Sequence, residues 1–148
     1  MELIIISGRS GSGKSVALRV VEDLGYYCVD NIPVNLLPSL VRSVSGSYDK
    51  IAVSIDVRNI PKEKDEFNEI FEYLPGFANP TLFYLDSDDQ TLIKRFSETR
   101  RLHPLSIDSL PLDLAIKKEK QLLDVLITRA DFMIDTTDLS VHQLAESI

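Results

Sequence analysis

The chain has 148 residues and a formal net charge of −7, with 44% hydrophobic and 26% charged residues. This length fits one domain with a sizeable core, and the composition is typical of a globular protein. The acidic balance disfavours strong unaided binding to RNA or DNA, because affinity for a phosphate backbone needs clustered cations. No apolar run approaches the roughly 20 residues of a membrane span. The single cysteine, Cys28, allows no internal disulfide. We therefore expect a cytoplasmic protein without a signal peptide or membrane contact.

The first predicted element is a buried strand at residues 3–6, a continuous apolar run. It leads into GRSGSGKS at residues 8–15, the glycine-rich loop, which matches the Walker A pattern G-x-x-x-x-G-K-[ST] without a gap. A helix is predicted over residues 16–24, because Gly25 is typical of a helix end. Strand, loop and helix together are the context in which this pattern binds a nucleotide. The predicted nucleotide-binding residues of the loop are Gly8, Arg9, Ser10, Gly11, Ser12, Gly13, Lys14 and Ser15.

Each residue type in the glycine-rich loop suits a phosphate group. Glycines let the main chain approach an anion closely and turn successive N–H groups inward. The following helix adds the positive end of its dipole. Lys14 is predicted to reach the β- and γ-phosphates, where it would also act in catalysis, and the Ser15 hydroxyl to ligate Mg²⁺. The alternative is a glycine-rich turn that holds no ligand.

The second predicted strand covers residues 26–29 and contains Cys28, which is more typical of a small core residue than of a nucleophile. Asp30 follows this strand, at the edge of the sheet where the loop also lies. A carboxylate at that edge could orient an attacking hydroxyl or water, so Asp30 is a candidate catalytic residue. The alternative is a simple turn before Pro33. A helix is predicted next, near residues 34–45.

The third predicted strand, at residues 51–55, ends in Asp56, which is a Walker B-like placement. Such a carboxylate can hold Mg²⁺ or its water shell opposite the glycine-rich loop. The alternative is that Asp56 caps a helix. A polar loop then leaves the sheet at the edge where open α/β sheets bind ligands. A helix is predicted near residues 62–74.

The fourth predicted strand covers residues 81–85, and a helix follows near residues 88–100, with Ser87 and Gln90 forming a capping box at its start. The end of this helix and the loop after it are cationic. In small P-loop kinases a mobile lid lies here, and its arginines can stabilise a transferring phosphoryl group. Arg100 and Arg101 are the catalytic candidates, with a solvated helix face as the alternative; Arg95 and His103 belong to the same cationic group.

The last predicted elements are a helix near residues 112–129, a strand at residues 132–134 and a short amphipathic helix that begins at Ser140. Because that helix stops after barely two turns, we expect a longer natural protein; a short terminal helix is the alternative. The alternation of strands and helices predicts an α/β fold: a P-loop NTPase, kinase-like three-layer domain over residues 1–148, with a mostly parallel five-stranded sheet and helices on both faces.

Four separated segments of the sequence resemble the RapZ/YvcJ family of bacterial nucleotide-binding proteins. They are SGRSGSGKSVALR at residues 7–19, YCVDNIPV at 27–34, SIDVRN at 54–59 and TRRLHPL at 99–105. The resemblance implies a kinase-like N-terminal domain that binds ATP at residues 8–15 and GTP at 56–59, with weak hydrolysis. The residues implied for GTP are Asp56, Val57, Arg58 and Asn59.

The resemblance also implies a role in the full-length family protein, which is about twice as long. Its C-terminal half is associated with RNA binding, homo-oligomerisation and sensing of glucosamine-6-phosphate. The family adaptor presents a small regulatory RNA to RNase E and so controls amino-sugar synthesis. Without that half, the present chain is expected to bind regulatory RNA weakly.

Three functions remain open from the sequence. The first is a nucleotide-binding regulatory domain of an RNA-decay adaptor, with slow ATP or GTP hydrolysis that requires Mg²⁺. The second is a small-molecule kinase that transfers the γ-phosphoryl group to an unidentified acceptor. The third is an inert binding module. The sequence lacks the Asn-Lys-x-Asp element that GTP switch proteins usually carry, so the preferred base stays open.

Overall fold

Five short runs rich in β-branched and aromatic residues form one sheet in a computed structural model that describes residues 1–9, 12–56, 64–99 and 111–137. The strands are β1 (Glu2–Gly8), β2 (Tyr27–Val29), β3 (Lys50–Ile55), β4 (Asn79–Asp86) and β5 (Phe132–Asp135). They lie in the order β2-β3-β1-β4-β5, and every neighbouring pair is parallel. The predicted five-stranded parallel sheet is confirmed.

Strand β1 lies at the centre of the sheet, between β3 and β4, and leads into the glycine-rich loop. Leu3, Ile5 and Ile6 are almost fully buried, as expected for a central strand covered on both faces. Ser7 lies opposite Ile55 of β3, and Gly8 lies opposite Leu85 of β4. The loop therefore leaves the sheet between the carboxyl ends of these two neighbouring strands.

Six α-helices connect or flank the strands among the described residues: α1 (Lys14–Asp23), α2 (Leu37–Val44), α3 (Lys64–Glu72), α4 (Asp89–Thr99), α5 (Leu112–Leu122) and α6 (Asp124–Arg129). One face of the sheet packs against α1 through Ala17, Leu18 and Val21. The other face packs mainly against α2, α3 and α6, with Val41, Ile70 and Leu126 in the core. Layers on both faces of a parallel sheet confirm the predicted three-layer α/β architecture.

Two predicted helices differ from the structure for local reasons. The predicted helix 34–45 begins as a 3₁₀ turn at Val34–Leu36, and the α-helix starts only at Leu37. Pro38 has no N–H to donate to the Val34 carbonyl, and its ring crowds that position, so a regular α-helical turn cannot form there. The predicted helix 112–129 is divided at Leu123, whose backbone angles (φ −86°, ψ 0°) depart from those of a regular α-helix.

Several sequence-based predictions fall outside the described residues. Among site residues these are Ser10, Gly11, Val57, Arg58, Asn59, Arg100 and Arg101; His103 and the helix predicted from Ser140 are outside as well. Within the described part of the chain, no helix is both long enough and apolar enough to cross a membrane.

Candidate functional site

The glycine-rich loop begins where β1 passes very close to β4. Gly8 has φ +147°, and a Cβ on it would lie 2.0 Å from the Leu85 carbonyl oxygen and 2.9 Å from the Ser12 Oγ. Only glycine accepts both that close approach and that backbone angle without strain. The first glycine of the motif is therefore required by packing as well as by any ligand.

Lys14 lies at the start of α1 with its side chain folded back over the loop. The ammonium donates to the carbonyl oxygens of Gly8 at 3.1 Å and Arg9 at 3.3 Å. Within the loop, the Ser12 N–H donates to the Arg9 carbonyl at 3.0 Å. The lysine charge is thus held directly over the part of the loop that a phosphate would approach.

The N-terminus of α1 is suited to an anion. Its N-cap is Gly13, in the left-handed region at φ 107°, and no described side chain caps the helix end. The first turn carries no acidic residue. The first N–H groups of a helix have no partners inside the helix, and the helix dipole adds partial positive charge there. Together with Lys14, this end of α1 presents the features of a phosphate site.

Ser15 and Asp56 supply the oxygen donors expected for a divalent cation. Ser15 is exposed in the first turn of α1, while Asp56 follows β3 and is only 7% exposed. The Ser7 hydroxyl donates to the Ile55 carbonyl at 2.7 Å, which ties the end of β3 to the beginning of the loop. Hydroxyl and carboxylate oxygens suit Mg²⁺, which usually keeps water and substrate phosphates as its other ligands. The donor set therefore fits a Mg²⁺–nucleotide complex.

In the described ranges no cluster of three or more His, Cys, Asp and Glu side chains could hold a metal ion.

Asp30 lies at the same edge of the sheet, in the turn after β2. Its carboxylate accepts a short hydrogen bond from the Ser54 hydroxyl, which in turn accepts the Asn31 N–H at 2.7 Å. Asn31 takes a left-handed conformation, φ 53°, which asparagine tolerates better than most residues. Because Val29 pairs with Val53 in adjacent parallel strands, Asp30 leaves β2 level with Ser54 on β3, two positions before Asp56. The structure brings both predicted carboxylates to one edge.

Arg9 is placed differently from what a loop motif suggests. Its side chain is buried, with Nε 2.7 Å from Asp86 and Nη1 2.5 Å from Asp89, and it also donates to the Ser87 carbonyl. Burial alone would lower the pKa of Arg9, but hydrogen bonds and charge from Asp89 and Asp86 outweigh it and raise that pKa. The guanidinium is committed to the turn between β4 and α4, so only the main chain of Arg9 is left to serve a nucleotide.

The predicted capping box at Ser87 and Gln90 is wrong. Helix α4 is capped by Asp88, whose Oδ1 accepts the Thr91 N–H at 2.7 Å. The hydrogen bonds with Thr91 also hold the pKa of Asp88 below its usual value. Ser87 is instead buried and hydrogen-bonded to Thr136, because it belongs to the turn that closes around Arg9. Ser87 and Asp88 are adjacent and both suit an N-cap, so the sequence pattern alone does not show which of them caps the helix.

Besides the buried Arg9 side chain, Arg95 and Thr136 also support the glycine-rich loop. Arg95, grouped by sequence with the lid cations, donates instead to the Ser87 Oγ at 2.9 Å and the Thr136 carbonyl at 2.7 Å. Thr136, which follows β5, places its hydroxyl 2.7 Å from the Ser12 carbonyl oxygen. Sequence reasoning did not single out Thr136 as a contact of the loop. The one feature of the sequence that could have indicated this contact is that Thr136 follows a predicted strand, at the carboxyl edge of the sheet where the loop lies.

Cys28 has the character of a core thiol. It is half-buried on the face that packs against α1, and burial, with a smaller effect of Glu22, raises its pKa to about 11. The thiolate is the nucleophilic form of cysteine. At neutral pH Cys28 stays protonated, in agreement with the reading of Cys28 as a small core residue.

The strand order and the glycine-rich loop at the end of the central strand define a P-loop domain of the kinase type. The sequence matches the family described as the RapZ-like N-terminal domain over residues 1–148, and the chain belongs to this family. It is 88% identical over 148 residues to a nucleotide-binding protein of Pseudoalteromonas translucida (strain TAC 125). It is 56% identical over the same length to the RNase adapter protein RapZ of Salmonella typhi. These matches cover 100% of the chain but 53% and 52% of the two relatives, so the chain spans about half their length.

Solved structures with the same fold include small-molecule kinases of low sequence identity. A sugar kinase from Janibacter sp. HTCC2649 aligns with a TM-score of 0.69 at 15% identity, covering 99% of this chain and 91% of the kinase. A shikimate kinase from Acinetobacter baumannii, solved with shikimate, aligns with a TM-score of 0.63 at 14% identity, covering 98% and 89%. At such identities the likeness establishes the fold alone, and it agrees with the predicted kinase-like architecture.

Proposed function

We propose that this domain binds ATP or GTP together with Mg²⁺ at the glycine-rich loop. The observation that carries the proposal is the Lys14 ammonium, held on the Gly8 and Arg9 carbonyls beside the N-terminus of α1, which begins at the left-handed Gly13. Lys14 would contact the β- and γ-phosphates, and the loop N–H groups would cradle them. Similarity to a nucleotide-binding protein of Pseudoalteromonas translucida supports the same assignment.

The remaining site residues are assigned by their positions at the same sheet edge. Ser15 and Asp56 would hold Mg²⁺, which neutralises phosphate charge when it is bound. Following the family resemblance, residues 56–59 would add contacts to GTP. Asp30 would orient a water molecule, and Arg100 and Arg101 would stabilise charge on the phosphoryl group. We propose weak hydrolysis at most, with nucleotide binding as the main property.

For the longer protein we propose the role of an RNase adaptor. The supporting observation is family membership over residues 1–148, together with relatives that carry the description RNase adapter protein RapZ. In that role the full-length, homo-oligomeric cytoplasmic protein would present a small regulatory RNA to RNase E and respond to glucosamine-6-phosphate. Residues 1–148 would form its nucleotide-binding domain. The net charge of −7 favours placing the main RNA contacts outside this half.

Nucleotide titration tests the central proposal. Lys14→Ala removes a charged phosphate contact, and such charge-assisted bonds contribute about 1.5–3 kcal/mol. We expect affinity for MgATP and MgGTP, measured by calorimetry, to fall at least about tenfold while the circular dichroism spectrum stays unchanged. Lys118→Ala, on an exposed position of α5, is the matched control and should bind as the unmodified chain does. Equal affinity in Lys14→Ala and the control would contradict the proposal.

The metal role of Asp56 is tested by the same titration with and without EDTA. Asp56→Asn should weaken binding when Mg²⁺ is present and change little when it is removed, because the carboxylate acts through the cation. An equal loss in both conditions would show a direct contact with the nucleotide or a folding effect.

A small-molecule kinase is the second candidate function, and the placement of Asp30 favours it. The Asp30 carboxylate is exposed and held by the Ser54 hydroxyl, which suits a base facing an incoming hydroxyl group. Turnover of MgATP measured with and without a panel of polyhydroxylated acceptors separates the two functions. A kinase produces a phosphorylated acceptor and stimulated turnover, whereas a regulatory domain retains the same slow hydrolysis throughout.

A further inference from the structure

A line of buried polar side chains runs from α4 to the glycine-rich loop. Thr136 is 2% exposed, and its Oγ1 lies 2.7 Å from the Ser12 carbonyl oxygen and 2.6 Å from the Ser87 Oγ. The Ser87 Oγ lies 2.9 Å from Arg95 Nη1. These contacts connect residues as far as 124 positions apart in the chain.

The donors and acceptors fix the direction of this line. The Ser12 carbonyl can only accept, so Thr136 donates its proton to it. The Ser87 hydroxyl, which accepts from Arg95, then donates to Thr136 Oγ1. Two longer contacts surround the same Thr136 oxygen, since the Asp86 carbonyl lies 3.1 Å and Arg95 Nη1 3.4 Å from it. Bonds that run in one direction from a charged donor polarise and strengthen one another.

Holding the Ser12 carbonyl determines where the next N–H points. A trans peptide is planar, so the Gly13 N–H points opposite to the Ser12 C=O. Gly13 is the N-cap of α1 at φ 107°, and a glycine peptide can otherwise rotate easily. The Ser12 hydroxyl is buried and has no hydrogen-bond partner in the described part of the chain. Thr136 is therefore a main anchor of this peptide.

We propose that Thr136 is a positioning residue of the glycine-rich loop. Supported by Ser87 and Arg95, it turns the Ser12–Gly13 peptide so that the Gly13 N–H faces a bound phosphate. The inference rests on the proposed nucleotide binding and adds a residue from the far edge of the sheet to that site. Thr136 therefore affects the binding of the phosphate chain of the ligand.

The test uses MgATP and magnesium tripolyphosphate as probes of the same chain. Thr136→Val keeps the side-chain shape and removes the hydroxyl, whereas Thr136→Ser keeps the hydroxyl. We expect Thr136→Val to weaken both ligands about tenfold, as expected for the loss of one charge-assisted donor, and Thr136→Ser to bind within about twofold of the unmodified chain. Thr137→Val is the matched control, since the Thr137 hydroxyl accepts the Asp88 N–H at 2.9 Å and no contact between it and the loop is described.

Each outcome decides between distinct interpretations. Unchanged affinity for tripolyphosphate in folded Thr136→Val overturns the inference, whether or not MgATP binding falls. If Thr136→Val does not fold, Ser87→Ala carries the test, with an expected loss of about threefold for tripolyphosphate because the line is broken one step earlier; unchanged affinity then overturns it. Failure of the unmodified chain to bind either probe overturns the proposed function itself.

Discussion

On the β4–β5 side of the glycine-rich loop, the Arg9 guanidinium is buried between Asp86 and Asp89, and the Ser12 carbonyl accepts a bond from buried Thr136. On the β2–β3 side, Asp30 is exposed and is held through the Ser54 hydroxyl. The first side holds a buried arginine in contact with two partly exposed aspartates. The second side presents the exposed carboxylate of Asp30 at the edge of the sheet.

This difference separates two tasks that a phosphate site has to perform. Cradling an anion requires main-chain N–H groups in fixed directions before the ligand arrives, which the buried contacts of Arg9 and Thr136 supply. Orienting a water molecule or an acceptor would require a carboxylate that the ligand can reach, and Asp30 is exposed, whereas Asp56 behind it is only 7% exposed. We therefore expect substitutions on the β4–β5 side to cost stability, and those on the β2–β3 side to leave the fold nearly intact.

The largest loss in the free energy of unfolding is expected for Gly8→Ala. The new Cβ would lie 2.0 Å from the Leu85 carbonyl oxygen, and the residue would keep a positive φ. Overpacking and backbone strain together should lower the free energy of unfolding by about 4 kcal/mol, measured by urea denaturation. Gly46→Ala is the control, because nothing lies within 4 Å of its added Cβ. A stable, nucleotide-binding Gly8→Ala variant would show that β1 and β4 separate easily at the loop.

For Arg9→Met we expect a loss in the free energy of unfolding that is somewhat smaller than that for Gly8→Ala. The apolar side chain retains much of the packing volume but leaves Asp86 and Asp89 without their buried cation. Removing one partner of a buried ion pair costs about 3–5 kcal/mol, and because both aspartates are partly exposed, the expected loss is about 3 kcal/mol. Arg42→Met, which removes an exposed arginine bonded to the Tyr73 carbonyl, is the control. Equal unfolding midpoints for the two variants would contradict a special role of Arg9.

The sheet and the motif residues could be predicted from sequence because both follow local rules. Apolar runs located all five strands, and the Walker A spacing placed Lys14 and Ser15 at the start of α1. Asp30 and Asp56 needed only the rule that parallel strands share one carboxyl edge. The helix boundaries at Pro38 and Leu123 were less accurate, because a single backbone position interrupts a periodicity that otherwise continues.

The supports of the loop could not be predicted, because their partners are distant in sequence. Arg9 meets Asp86 only once β1 and β4 are neighbours, and Thr136 meets Ser12 only once β5 closes the sheet. An arginine inside a phosphate-binding motif resembles a ligand contact, and an arginine near a cationic loop resembles part of a lid. In both cases the tertiary partner, which no local pattern contains, decides the role.

The smallest effect is expected for Ser54→Ala, on the β2–β3 side. The change removes the donor to Asp30 and the acceptor of the Asn31 N–H. Because Asp30 and Asn31 are both exposed, water replaces the lost partners at little cost. The free energy of unfolding should fall by about 1 kcal/mol, and MgATP affinity should stay within about twofold. Ser45→Ala, which removes an exposed hydroxyl bonded to the Arg42 carbonyl, is the control and should be neutral within about 0.5 kcal/mol. A loss for Ser54→Ala as large as that for Arg9→Met would mean that both sides of the loop are anchored equally, and the division between a rigid cradle and an accessible edge would be wrong.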